Sequence, residues 1–224
     1  MFDGFANNRA RLAHCQIDQE NQEQSMTTNN FSPATVGWVA IATGASSILA
    51  VLCLVLMFTV NQSFGTANDV LNGIVGISSV ILAWMLYAEH RARSPLLSQV
   101  ALVLALLGAI FVVIGSILVI FKVTGFVLAG FYTSVGNALI GCWLVAFCYS
   151  MQRGDGFPNN LITLGMVVGV LMAMGFLVIP GIVAEIDSME SLPWYLTLGY
   201  VGFLATYLLY PVWTIGLGRN LLLK

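Results

Sequence analysis

Residues 68–93 read NDVLNGIVGISSVILAWMLYAEHRAR, and this stretch decides the fold. After Asp69 come 19 uncharged residues, from Val70 to Ala88, and the stretch ends in Glu89, His90, Arg91 and Arg93. A helix rises about 1.5 Å per residue, so this segment is roughly 28 Å long and matches the hydrocarbon core of a bilayer. An acid at the start and arginines at the end both suit the helix dipole. The stretch therefore predicts a membrane-spanning helix whose arginine end lies in the cytoplasm.

The composition of the whole chain supports a membrane protein. Of 224 residues, 58% are hydrophobic and 8% are charged, and the mean hydropathy is +0.90. Soluble domains carry about 25% charged residues. The net charge of −2 gives no basic surface for nucleic acid, so we expect no nucleic-acid partner.

Hydropathy divides the chain into a polar tail and six apolar segments. Residues 1–33 lack the apolar core of a cleavable signal peptide, and we predict a cytoplasmic tail there. The remainder, 34–224, is predicted to be a single all-α domain, a six-transmembrane-helix bundle. Its spans are predicted at about 34–60, 70–88, 96–121, 125–150, 161–184 and 194–217. Ser32-Pro33 is a typical helix start, and Pro180 and Pro211 should disturb the helices that contain them.

The basic residues predict the orientation. With six spans, seven of the eight lie on the side that holds both termini: Arg9, Arg11, Arg91, Arg93, Arg153, Arg219 and Lys224. Only Lys122 lies on the other side, with Asp69, Glu185, Asp187 and Glu190. Both termini are therefore predicted to be cytoplasmic, and we expect a multi-pass protein of a bacterial cytoplasmic membrane. Four tryptophans near span ends fit an interfacial belt: Trp38, Trp84, Trp194 and Trp213.

Small residues recur at helical spacing in the spans, where they allow helices to approach closely in lipid. The predicted packing glycines are Gly76, Gly108, Gly141, Gly165 and Gly169, of which the last two form a GxxxG motif. We expect the GxxxG face to meet a partner protein. Four polar residues are predicted to lie inside the membrane: Asn72, Ser79, Ser134 and Asn137. Asn137, near mid-membrane, must find hydrogen-bond partners, because an unsatisfied polar group in hydrocarbon costs several kcal/mol.

Chemistry-bearing residues are sparse. No charged residue or histidine falls in the middle of a predicted span, although proton relays and ion-coupled carriers usually need one. The histidines, His14 and His90, are not placed to ligate a membrane haem. The sequence contains no CxxC motif. Glu185, Asp187 and Glu190 lie close together, but no glycine within their loop provides the sharp turn of a known cation-binding loop. We therefore predict no catalytic residues, no metal and no cofactor.

Three functions remain open at this stage. The leading hypothesis is a non-catalytic structural or accessory subunit that packs through its small-residue faces against another membrane protein or a second copy. The alternative is a channel or carrier for a small neutral or lipid-like solute, along the face with Asn72, Ser79, Ser134 and Asn137. The third is an interfacial enzyme using the 89–93 loop, although a basic loop that fixes topology explains those residues more simply. A pocket holding Glu89 and His90 with Asp155 would favour the enzyme.

Overall fold

The computed structural model describes residues 31–90, 95–152, 157–190 and 192–223, with the backbone alone at residues 89 and 90. The described residues form helices and no strand, and six helices are long and apolar enough to cross a membrane. We call them helices one to six in chain order: Pro33–Thr59, Ser63–His90, Pro95–Ile120, Phe126–Met151, Asn159–Val183 and Trp194–Leu222. The predicted tail lies outside the described residues, apart from its last three positions.

Helix one begins as the sequence predicts. Pro33 occupies the first turn, where its missing N–H costs nothing, and the Ser32 hydroxyl accepts a hydrogen bond from the Thr35 N–H at 3.1 Å.

Helix two begins earlier than predicted. The span was expected from residue 70, whereas the helix starts at Ser63, whose N–H donates to the Asn61 side chain at 2.8 Å. The first turn therefore holds no acid, and the expected match between Asp69 and the helix dipole is wrong. Asp69 lies in the second turn and is buried inside the bundle.

Two prolines disturb the helices, as expected. Residues Met174–Val178 of helix five form a 3-10 segment just before Pro180. In helix six, residues Ala205–Leu209 form a π-helical segment just before Pro211. A proline clashes with the carbonyl four residues earlier and offers no N–H, so the preceding turn must tighten or widen.

The π-helical segment leaves one carbonyl without a backbone partner. The Tyr210 N–H bonds to the Ala205 carbonyl, and Pro211 has no N–H to give to Thr206. The Ser47 hydroxyl of helix one donates to the Thr206 carbonyl instead, at 3.4 Å. Helix one thus stabilises the irregular turn of helix six.

Each helix packs mainly against its neighbours in sequence, and helix six returns to pack against helix one, so the six helices form a closed ring. We call the end where helices one and two, three and four, and five and six are joined the far end, and the opposite end the near end. Helices four and six are the most buried: 61% and 56% of the residues in an apolar 18-residue stretch of each are buried, against 39% or less in the other helices. These two helices therefore supply most of the interior.

The small-residue faces meet other helices of the same chain. A Cβ added at Gly108 of helix three would lie 2.6 Å from the Gly136 carbonyl of helix four, and one at Gly76 would meet Val112 of helix three. On the other side of helix four, Gly141 and Gly169 approach each other's carbonyl oxygens in the same way. Such distances are possible only without side chains.

Both glycines of the GxxxG motif lie against helices of the same chain, and the expectation of a partner protein on this face stays a prediction. Gly169 lies against Gly141 and Val145 of helix four. Gly165 lies against Cys148 of the same helix and Trp213 of helix six. The face is already filled within one chain, because close backbone approach serves neighbouring helices of one bundle as well as it serves separate subunits.

Candidate solute-binding site

The four predicted polar residues do not converge on one site. Asn72 and Ser79 point into the bundle at different depths of helix two, and Ser134 is half-buried on helix four. Asn137 is buried, with 7% of its surface exposed, and its role as a hydrogen-bonding residue stays a prediction. The structure instead brings Asn72 and Ser134 to two adjoining spaces near the far end.

The larger space is an apolar cavity of about 190 Å³ between helices one, four and six. Its walls are almost entirely hydrocarbon and aromatic, with Ser134 and Tyr200 as the side chains that carry hydroxyls. Gly130 of helix four opens directly into free space, because a Cβ added there would meet no atom within 4 Å. Met189, which is exposed in the connection between helices five and six, stands at its rim. The residues that line the cavity include Leu54, Phe58, Phe126, Val127, Gly130, Ser134, Leu196 and Phe203.

The smaller space is a polar pocket of about 30 Å³ between helices two, three, four and six, lined among others by Asn68, Asp69, Asn72 and Tyr207. The Tyr207 hydroxyl donates to the Asn72 Oδ1 at 2.8 Å, and the Asn68 Nδ2 donates to the Asp69 Oδ1 at 3.3 Å. The Asn68 Oδ1 is buried and has no hydrogen-bond partner among the described residues. Three residues that line the pocket, Asn68, Asp69 and Asn72, therefore carry acceptor oxygens.

Two local irregularities build this polar pocket. Because helix two starts at Ser63, Asn68 and Asp69 lie within the bundle rather than at a helix end. Because Pro211 forces the π-helical turn, Tyr207 belongs to a widened turn that faces helix two. Single π-helical turns are often found at functional sites.

Towards the near end, the interior is closed by hydrogen bonding and aromatic packing. The Ser79 hydroxyl donates to the Val75 carbonyl at 2.7 Å, so the Tyr210 hydroxyl must donate to Ser79, at 2.8 Å. Beyond this pair, Tyr210, Trp213, Trp143 and Phe147 pack ring against ring, with successive centroids about 6 Å apart. The centre of the bundle is therefore filled at this level.

Trp213 belongs to this aromatic cluster and not to an interfacial belt. It is 1% exposed, and its Nε1 donates to the Leu161 carbonyl at 3.2 Å. The belt assignment of Trp213 is therefore wrong. Trp38, Trp84 and Trp194 are exposed on the surface of the bundle.

One acid of the connection between helices five and six, Asp187, has a structural partner. The Asp187 carboxylate accepts hydrogen bonds from the Gly125 and Leu128 N–H groups, the latter at 3.1 Å. These N–H groups belong to the start of helix four, which otherwise has no side-chain cap. Asp187 therefore stabilises that helix end, by hydrogen bonding and by its charge.

Other site hypotheses gain no support from the described residues. Within them, no three His, Cys, Asp or Glu side chains come together as metal ligands would. The 89–93 loop and Asp155, on which the enzyme hypothesis depends, lie outside the described residues or have undescribed side chains.

No protein-family model, curated protein or solved structure matches the chain. The two adjoining spaces are therefore the features that bear on function.

The predicted site residues do not include Asn68, Asp69, Gly130 or Tyr207, which line these spaces. Helical spacing places Asp69 on one face with Asn72 and Gly130 on one face with Ser134, so the sequence carried a signal for both. Tyr207 carried no such signal, because its direction depends on the π-helical turn.

Proposed function

We propose that the protein binds a small, largely apolar solute within the membrane, in the cavity between helices one, four and six. The observation that carries the proposal is the size and chemistry of this cavity, about 190 Å³ with a hydrocarbon wall. An apolar cavity of about 150 Å³ in another protein stays dry and binds benzene. A solute with a hydrocarbon part of roughly that size suits these walls.

Binding or carriage is better supported than an open channel. The aromatic cluster of Trp143, Phe147, Tyr210 and Trp213 fills the centre of the bundle on the near side of the cavity. A solute in the cavity can exchange at the far end, where Met189 stands at the rim. Passage to the near end would require the helices to move apart.

The accessory-subunit hypothesis is the second candidate, with a different surface from the one first expected. Because the small-residue faces are filled within the chain, a partner helix would need another place to dock. One such place is a groove of about 550 Å³ between helices one and six, lined among others by Ile48, Leu52, Leu208 and Gly216. Lipid chains fill such a groove as well as a helix does, so it ranks below the cavity.

Two glycine substitutions separate the candidates. Gly130→Leu places a side chain in the cavity, where an added Cβ meets open space. Gly216→Leu adds the same side chain at the edge of the groove, where a Cβ meets only the Leu161 side chain of helix five, at 3.2 Å. The two variants are matched in chemistry and differ in which space they fill.

The measurement is saturable binding of radiolabelled benzyl alcohol to the full chain in lipid nanodiscs, with empty nanodiscs as the background. We expect Gly130→Leu to abolish saturable binding and Gly216→Leu to retain it. Binding to Gly130→Leu at the level of the unmodified protein would contradict the proposal. If Gly216→Leu alone releases a stoichiometric partner during purification in mild detergent, the accessory-subunit hypothesis is favoured instead.

A further inference from the structure

The polar pocket beside the cavity is rich in acceptors. Asn68 is 2% exposed, and its Oδ1 has no hydrogen-bond partner among the described residues. The Asn72 Oδ1 receives one hydrogen bond, from Tyr207, and an amide oxygen can accept two. A buried acceptor without a donor costs free energy, so the pocket favours a ligand that donates several hydrogen bonds.

The pocket also carries an uncompensated acid. Asp69 is 9% exposed, and its one described side-chain partner is the neutral Asn68. Among the described residues, no Lys, Arg or His side chain forms an ion pair with it. A buried carboxylate is stabilised by a cation, and acids within membrane helices commonly mark a binding site.

Aromatic rings make up another part of the pocket wall. Phe126, Phe203 and Tyr207 line it, and the rings of Phe203 and Tyr207 lie 4.3 Å apart between centroids. Ring faces attract ammonium groups, whereas hard metal ions need a shell of six or more oxygens. The mixture of rings with a few oxygens suits an organic ammonium group better than an inorganic cation.

The two spaces share part of their lining. Phe126, Gly130 and Phe203 belong to both the polar pocket and the apolar cavity. The pocket, about 30 Å³, exceeds the volume of roughly 10–15 Å³ that one water requires. A group of the size of an ammonium thus fits beside a hydrocarbon group in the cavity.

We propose that the solute is a small amphipathic amine, with its ammonium group held by Asn68, Asp69 and Asn72 and its hydrocarbon part in the cavity. This inference rests on the proposed function, because it names the chemical class of the ligand for the same site. An ammonium supplies up to three N–H donors and a positive charge. Among the described residues of the pocket, the Asn68 Oδ1 lacks a donor and Asp69 lacks a cationic partner.

The test compares benzylammonium with benzyl alcohol, which have the same ring and differ in the polar group. Equilibrium dialysis against the full chain in nanodiscs of neutral lipid measures the Kd of each. We expect the unmodified protein to bind benzylammonium at least about tenfold more tightly than the alcohol. Asp69→Asn, which keeps the shape and removes the charge, should remove this preference. Asp187→Asn is the control, because it removes an acid that lies outside the pocket.

The outcomes distinguish this inference from the proposed function. If both probes bind equally and Asp69→Asn changes neither, the inference is overturned and the cavity remains a site for neutral solutes. If neither probe binds saturably, the proposed function fails with it. The preference of the unmodified protein needs no variant, so the test holds even if Asp69→Asn does not fold.

Discussion

Gly169 of helix five offers a direct test of the packing between helices four and five. In a Gly169→Ala variant, the new Cβ would lie 2.6 Å from the Gly141 carbonyl oxygen and 3.1 Å from the Val145 N. Ordinary contact begins at 3.4 Å, so the two backbones must separate by about 0.8 Å (3.4 − 2.6). A gap of that size removes a quarter to a half of the dispersion attraction between the atoms concerned. Overpacking of this kind typically costs about 1–3 kcal/mol.

The matched control is Gly130→Ala on helix four. Its Cβ meets no atom within 4 Å, so it adds a methyl group without a clash. Both substitutions gain the same helix propensity, about 1 kcal/mol for alanine over glycine. That gain cancels in the comparison, and the difference between the two variants reports the packing cost alone.

The assay is the free energy of unfolding of the purified monomer, from titration with a denaturing detergent. We expect Gly169→Ala to be less stable than Gly130→Ala by about 1–3 kcal/mol. Equal unfolding midpoints would refute the close approach of helices four and five. A monomer of unchanged stability that no longer associates with a partner would support the expectation that this face meets another protein.

Three further predictions concern other parts of the bundle. Ser47→Ala removes the donor to the Thr206 carbonyl. We expect the free energy of unfolding to fall by about 0.6–1.7 kcal/mol, the range for hydrogen bonds between membrane helices. No loss would mean that water or the backbone satisfies this carbonyl. Asp187→Ala removes the cap of helix four and should cost about 1 kcal/mol, measured in the same titration, and a neutral result would contradict the capping role. The predicted orientation can be tested in a chain whose own cysteines are changed to Ala. A Cys at Glu190 should then react with a membrane-impermeant thiol reagent from outside the cell, and a Cys at Arg153 should not. The reverse pattern would overturn the predicted topology.

Several features of the fold could be predicted because they depend on local composition. The number of helices follows from the length of the apolar segments, and the start of helix one follows from Ser32-Pro33. The positions where the α-helical pattern breaks follow from Pro180 and Pro211, which lack an N–H in any environment. Helical spacing also singled out glycines that lie at contacts between helices, such as Gly108 and Gly141.

The tertiary structure decided which surfaces these residues meet. A glycine stripe has the same pattern whether it faces a helix of its own chain or a partner, so the sequence could not place Gly165 and Gly169 against helix four. The sequence and the structure both place Trp213 in the second half of helix six. Only its packing against Trp143 and Leu161 determines that it is buried.

The candidate site depends still more on tertiary structure. Asp69 follows a polar loop in the sequence and was assigned to the membrane surface, because hydropathy measures composition and not depth. An early helix start at Ser63 and a widened turn before Pro211 bring Asp69 and Tyr207 to one pocket. The sequence by itself determined the six apolar helices and the positions at which their regular α-helical hydrogen bonding is interrupted. The closure of those helices into a ring decided which polar groups share a buried space. That outcome depends on contacts between residues more than a hundred positions apart.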